Sequence, residues 1–452
     1  MLANLRNITH LTFFTIGVAN LWPWNNILSA SLFFQNEVFG ETSVYAKVFT
    51  SSVMTVSTVT SLVYFLYIAT QQYAYATRIR RGLIYQSVTF ILITLICMLS
   101  ISVPYSVSFA FIVLLNGLSA VATVLTQSGG LAIANVLKPA YNQSIMVGQA
   151  LAGVLPSVVL FIVSLTTGGS TSTNGYSETS TVSKTSSVII KNLPTYLYLL
   201  TTPLVCLVCL GLYQYSGIGG KLQDTTLYAQ AGERTEQGVH LLDQPKITEE
   251  LYPSSDSTLT SFSEKVPLGV LYEKLKYLII SIFVTSCVTL VFPVFTTNTL
   301  ASGLPLTEAQ FVPLIFTVWN LGDLYGRIIA DWPAFGGKHF TPQRLLVYSI
   351  LRIGMIPLYF IFAIASHSTP ATSIRQTRGI FLDVGYTLLQ FLFGVTNGHI
   401  IALGFMEIPN QLDTDAERKA AGAFGGIFVA AGLAAGSILS YLFVAALDYL
   451  LK

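Results

Sequence analysis

Apolar residues in this chain come in long blocks separated by short polar breaks. A bilayer span needs about 20 mostly apolar residues. Eleven blocks are of that order, at 9–34, 46–70, 83–101, 107–136, 143–167, 192–214, 275–298, 308–330, 343–366, 379–406 and 419–447. Backbone groups inside lipid must bond within their own segment or close a barrel. Blocks this long therefore predict an all-α polytopic membrane protein of about eleven transmembrane helices.

The breaks organise the blocks. The fourth and fifth are separated only by "LKPAYNQS". Between the sixth and seventh, "SGIGGKLQDTTLYAQAGERTEQ" opens a long polar stretch rich in Ser, Thr and Gly. Such composition predicts a disordered linker, here cytoplasmic. It divides the chain into an N-terminal six-helix bundle (1–214), the linker (215–274) and a C-terminal five-helix bundle (275–452). Two bundles flanking a midplane site are a transporter architecture. A second polar stretch, "TTGGSTSTNGYSETSTVSKTSS", predicts a flexible outer loop and contains no N-x-S/T acceptor.

Composition agrees. The 452 residues are 52% hydrophobic and 10% charged, against about 25% charged in ordinary soluble domains. A net charge of +2 points to neither nucleic acid nor an acidic partner. Lys and Arg in short loops set orientation. With the N-terminus cytoplasmic, twelve fall inside, among them Arg78, Arg80, Arg81 and Arg418, and six outside. The C-terminus is then lumenal. The first block lacks the shape of a cleavable signal. Cys97, Cys206, Cys209 and Cys287 sit in apolar runs, so Cys206-x-x-Cys209 reads as packing and neither a disulfide, a metal nor a cofactor is expected.

Against this background, "VWNLGDLYGRIIADW" puts Asp323 and Arg327 four residues apart, on one helix face, with Asn320 beside them. Two charges at mid-membrane cost roughly 5 to 7 kcal/mol before compensation. They form either a structural ion pair or part of a site for a polar ligand. In "LWPWNNILSAS", Pro23 removes a helix hydrogen bond, while Trp24 offers a flat ring and Asn25 and Asn26 amides. "AVATVLTQSGGLAIANV" buries Gln127 near the Gly129-Gly130 pair. Gly148, Gln149, Gly153 and Pro156 read as packing and bending, as do Gly422-x-x-x-Gly426 and Gly432-x-x-x-Gly436 in the last block. Arg352 is expected to pair within its bundle, and Glu407 to lie near the cytoplasmic end.

These segments resemble the equilibrative nucleoside transporters: "LWPWNNILSAS", "MVGQALAG", "NLGDLYGR", "RIGMIPLYF", "TNGHIIALGF" and "AGLAAGSILSYLF" occur in order over nearly the whole chain. The details are most similar to the family's fungal vacuolar branch. The resemblance implies a major-facilitator-like fold with 6+5 bundles that acts as a monomer. It implies facilitated diffusion of nucleosides, with nucleobases as an open extension, across a vacuolar membrane. It assigns substrate binding to Leu21, Trp24, Asn25, Leu28, Gln127, Asn320, Asp323 and Arg327. The chain departs from the family pattern at Thr123, commonly a glycine, and at His399 in Asn397-Gly398-His399. A proton-coupled carrier of the same fold, using Asp323 or His399, is the alternative. No HExxH, GxSxG or paired-carboxylate motif suggests an enzyme.

Overall fold

A computed structural model describes residues 7–40, 42–99, 103–166, 181–218, 265–367 and 373–450. Among them no strand occurs. The helices are α1 Ile8–Ser29, α2 Val44–Ala69, α3 Tyr75–Leu99, α4 Tyr105–Leu137, α5 Pro139–Thr166 and α6 Thr181–Tyr215, then α7 Leu268–Thr289 and α8 Glu308–Ile329. The ninth, α9, runs from Pro342–Leu351 through a tight turn, Arg352–Met355, into Ile356–His367. Last come α10 Ser373–Glu407 and α11 Asp415–Leu450. Nine of these segments are long and apolar enough to cross a membrane. The other two, α1 and α8, are diluted by the polar residues of "LWPWNN" and "NLGDLYGR".

Helices overrun the apolar blocks. α3 starts at Tyr75, with Arg78, Arg80 and Arg81 on its first turns, and α7 starts at Leu268, within the stretch expected to be linker. Arg, Lys and Glu are good helix formers, so a helix continues into the headgroup layer after hydropathy has fallen. Residues 219–264 of the expected linker and 167–180 of the outer loop lie outside the described residues. α1 stays helical through Pro23.

The core divides unevenly. Near the α1–α2 and α7–α8 connections there are two separate clusters. One is built on Ile27, Phe34, Phe49, Phe90 and Leu199, the other on Phe292, Phe295, Phe311, Tyr359 and Phe393. At the opposite face a single cluster joins both halves, from Phe13, Phe65 and Leu131 to Ile282, Phe405 and Phe424. The apolar core is continuous between the halves at one face and divided toward the other, where α5 and α8 still meet through Thr317 Oγ1 on the Ser157 carbonyl at 2.9 Å and Gln310 Nε2 on the Ser164 carbonyl at 3.5 Å. The small-residue ridge of α11 serves the fused part: a Cβ on Gly422 would lie 2.4 Å from the Ala132 nitrogen of α4, and one on Gly426 would strike the Phe65 ring of α2.

Amides of α5 close this face by a specific device. The last four carbonyls of a helix have no intrahelical donor. Gln143 Nε2 donates to the Arg327 and Ile328 carbonyls at the end of α8, at 3.2 and 3.3 Å. Asn142 Nδ2 donates to the Phe405 carbonyl near the end of α10, at 3.0 Å. "YNQS" thus caps two helices of the other half. Gln143→Leu should remove two such bonds, roughly 1 kcal/mol net, and shift the population toward a state open at this face by about fivefold. Labelling of a cysteine introduced at Ser61, in a background lacking the native cysteines, should slow accordingly for an impermeant reagent added from the split face. An unchanged rate would mean the caps survive the conformational change.

Lys274 ties α7 to the α10–α11 connection, reaching Asp413 at 2.7 Å and Glu417 at 2.6 Å. Its ammonium holds the Asp413 carboxyl below the usual range, chiefly by hydrogen bonding. The tie is complete at neutral pH and fades as pH falls through that lowered pKa.

Candidate functional site

A cleft of about 900 Å3, including its open mouth, lies between α1, α2, α4, α5 and α11. Phe65, Val124 and Ala430 belong both to its lining and to the fused core, and so form its floor. Leu21, Trp24 and Leu433 supply apolar surface, and Trp24 packs on its other side against the cluster around Ile27. α2 contributes hydroxyls at Ser57, Thr58 and Ser61, and α4 contributes Asn116, Ser119, Thr123 and Gln127. Asn20 and Gln149 complete the polar set. No lining residue carries a formal charge.

The amides are already oriented. Asn20 Nδ2 donates to Gln127 Oε1 at 3.2 Å, linking α1 to α4, while Asn20 Oδ1 is buried without a donor. Asn116 donates to the Val53 carbonyl and to Ser57 Oγ, both at 3.0 Å. A buried amide oxygen lacking its bond carries a desolvation cost of about 1 to 3 kcal/mol. A hydroxyl or N–H from a ligand would relieve it.

Asp323 and Arg327 lie outside this lining. They are 4% and 8% exposed, with Arg327 Nε on Asp323 Oδ2 at 2.9 Å. Asn397 of α10 donates to Asp323 Oδ1 at 2.7 Å, and Thr289 of α7 donates to the Asn397 oxygen. Arg327 Nη1 donates to the Met146 carbonyl at 2.8 Å and to Gln149 Oε1 at 3.3 Å. The pair is therefore a satisfied, charge-assisted network joining α8 to α5 and α10. It reaches the cleft only through Gln149.

The expected site residues separate into two groups. Leu21, Trp24 and Gln127 line the cleft. Asn25, Leu28, Asn320, Asp323 and Arg327 do not. Asn25 turns back to the Leu21 carbonyl at 3.1 Å. Asn320 bonds the Phe316 carbonyl at 2.9 Å and packs on Gly153, where an added Cβ would lie 2.7 Å from its oxygen. Asn26, fully buried, bonds α6 through the Tyr198 carbonyl, Thr201 and Thr202, which makes it structural.

Sequence reasoning missed Asn20, the α2 hydroxyls, Asn116, Ser119 and the exposure of Gln149 to the cleft. A signal existed. Asn20 and Trp24 are one turn apart, and 116, 119, 120, 123 and 127 recur at helical spacing on one face of α4. Arg352, expected to pair within its bundle, is buried and forms no ion pair among the described residues. It bonds Thr396 Oγ1 and the Thr285 and Phe393 carbonyls, and lies 3.8 Å from the Phe393 ring centre.

Several known proteins resemble this one. Solved structures share its fold: a bacterial homologue of the iron transporter ferroportin in an outward-facing state, at 12% identity and TM-score 0.55, covers 98% of this chain and 95% of its own. FucP, a major facilitator superfamily transporter in the outward conformation, gives 14% and 0.52 over 97% and 91%. The major-facilitator-like architecture expected from the sequence is thus the architecture of the chain. Nucleoside transporter FUN26 of Saccharomyces cerevisiae is 42% identical, over 99% of this chain and 86% of its own length. The human equilibrative nucleoside transporter 2 is 24% identical over 98% of each. The family model for nucleoside transporters matches residues 109–445. With that match and the 42% identity to the yeast relative, the chain belongs to the nucleoside transporter family.

Proposed function

We propose that this protein carries nucleosides by facilitated diffusion and that the uncharged cleft on the α1–α4 side is where the nucleoside sits. The observation that carries the reading is the lining itself. A nucleoside is neutral, with a flat base, a polar base edge and a ring of hydroxyls. The cleft offers one indole, four amides and several hydroxyls, with no ionised group to favour a phosphate or a cation. Trp24 stacks on the base, Gln127 and Asn20 meet its edge, and Ser57, Ser61 and Gln149 meet the ribose. Alternating access then consists of parting the fused face and closing the split one.

The relatives named equilibrative, and a cleft lined by no carboxylate or histidine, favour uniport over proton coupling. Purified protein in liposomes tests this. Labelled nucleoside should equilibrate without accumulating, with or without a pH gradient, and accumulation driven by the gradient would sink the reading. A competition panel in the same vesicles decides whether nucleobases also enter; the amides at the base end would accept them. Likeness to the yeast relative and the Lys and Arg distribution support residence in an intracellular, vacuolar membrane, the N-terminus cytoplasmic and the C-terminus lumenal. A cleft built within one chain supports function as a monomer.

Stacking makes its own prediction. Trp24→Ala should weaken nucleoside uptake by about 1 to 3 kcal/mol, the range for bases on aromatic rings, and Trp24→Phe by less. Equal losses would assign Trp24 a purely packing role.

A further inference from the structure

Three arginines are buried among the described residues, and in two of them no solvent-shielded nitrogen lacks a partner. Arg327 has Asp323, Gln149 and the Met146 carbonyl. Arg352 has Thr396 and two carbonyls. Arg78 is the exception. It is 5% exposed, its Nη2 donates to the Gln71 carbonyl at the end of α2, and its guanidinium lies 4.6 Å from the Tyr75 ring centre. Its Nη1 meets no acceptor. Yet Arg78 lines a second cleft of about 510 Å3, including its mouth, together with Tyr64, Tyr67, Gln71, Tyr73 and Arg81. No carboxylate lines that cleft, and no ion pair among the described residues involves Arg78 or Arg81.

An arginine buried without a counter-charge is costly, and an anion in the adjoining cleft is the arrangement that offsets it. The surroundings narrow the anion. A guanidinium fork matches phosphate oxygens two at a time, and tyrosine hydroxyls add neutral donors. The cleft adjoins the first turn of α3, whose free amides favour negative charge. Tyr67 and Tyr73 are 55% and 61% exposed, as for aromatic residues at a headgroup layer. This end of α2 and α3 is also the side to which the basic loops assign the cytoplasm, where anionic lipids concentrate. We propose that the cleft between α2 and α3 binds the phosphate-bearing headgroup of an anionic phospholipid, held by Arg78 and Arg81, at a site separate from the nucleoside cleft.

The test uses the purified full-length protein in detergent and three probes: dioctanoyl phosphatidylinositol 4-phosphate, dioctanoyl phosphatidylcholine and inorganic phosphate. The phosphoinositide should bind, and Arg81→Gln should weaken it by about tenfold, the scale of one charge-assisted contact. Arg81 is exposed, so this variant should keep the wild-type melting profile without lipid even if Arg78→Gln does not fold. Arg344→Gln, exposed and bonded to the His339 carbonyl, should leave binding unchanged. Equal binding of phosphatidylcholine, or of phosphoinositide to Arg81→Gln, would overturn the site. Equal loss in Arg344→Gln would reduce it to unspecific surface charge. Inorganic phosphate binding as tightly as the phosphoinositide would overturn the lipid as its source.

Discussion

Asp323→Ala is expected to cost about 3 to 5 kcal/mol of stability, because it leaves Arg327 buried without its counter-charge. It also leaves the Asn397 amide without its acceptor. Gln149, on the cleft wall, then loses an oriented partner as Arg327 moves. Nucleoside uptake should fall by roughly a hundredfold or more, and the melting temperature in detergent should fall with it. Asp323→Asn keeps the shape and one acceptor, so its loss should be smaller. The two roles considered for this carboxylate separate by ligand. Acting from behind the wall, as its burial supports, the pair affects nucleosides and 2′,3′-dideoxynucleosides by the same factor. A carboxylate that reaches the ribose would spare the dideoxy compounds. The double variant Asp323→Leu/Arg327→Met completes the test. Apolar replacement of a buried pair is often neutral or stabilising, so stability should return while Gln149 remains without its orienting partner and uptake stays low. Recovery of uptake with stability would limit the pair to a structural role.

Gly398→Val is expected to be as damaging, through backbone contact instead of charge. α8 and α10 approach so closely that a Cβ at Gly398 would lie 1.9 Å from the Asp323 carbonyl oxygen, and one at Gly326 would lie 2.1 Å from that of Val395. Neither obstacle is a flexible side-chain end. Overpacking of a rigid contact costs about 1 to 3 kcal/mol and at times more, and here the displaced backbone carries Asp323. Folding yield and uptake should both drop sharply. Gly354→Ala, where nothing lies within 4 Å of the added Cβ, should leave both unchanged. If Gly398→Val folds and transports normally, α8 and α10 have room to separate and the rigid support assigned to Asp323 is wrong.

The spans and the candidate site were legible to different degrees. The spans were readable because a lipid solvent demands long apolar helices, whatever packs beside them. The ends of α3 and α7 were not, since a helix outlasts its hydropathy once it reaches the headgroups. Trp24 and Gln127 stood out because each is an unusual residue at mid-membrane, whereas Leu21 came from the resemblance alone; all three line the cleft. Asn116, Ser119 and Ser57 were passed over because small polar residues in membrane helices ordinarily bond to neighbouring helices. Gln149 was read as packing, and it does pack, against Arg327, but it also presents a face to the cleft.

By itself the sequence determined the class of the protein as a helical, multi-span membrane protein, the one-turn pairing of Asp323 with Arg327 and the ridge of small residues on α11. All of these depend on local spacing and on the cost of polar groups in lipid. Only the tertiary structure decided that the pair lies behind the cleft wall and reaches it through Gln149, that "YNQS" of α5 caps α8 and α10, and that Arg78 has an unmet nitrogen beside a second cleft. Each of those depends on groups brought together from helices far apart in the chain. A helix's period records which residues share its face and does not record what lies opposite.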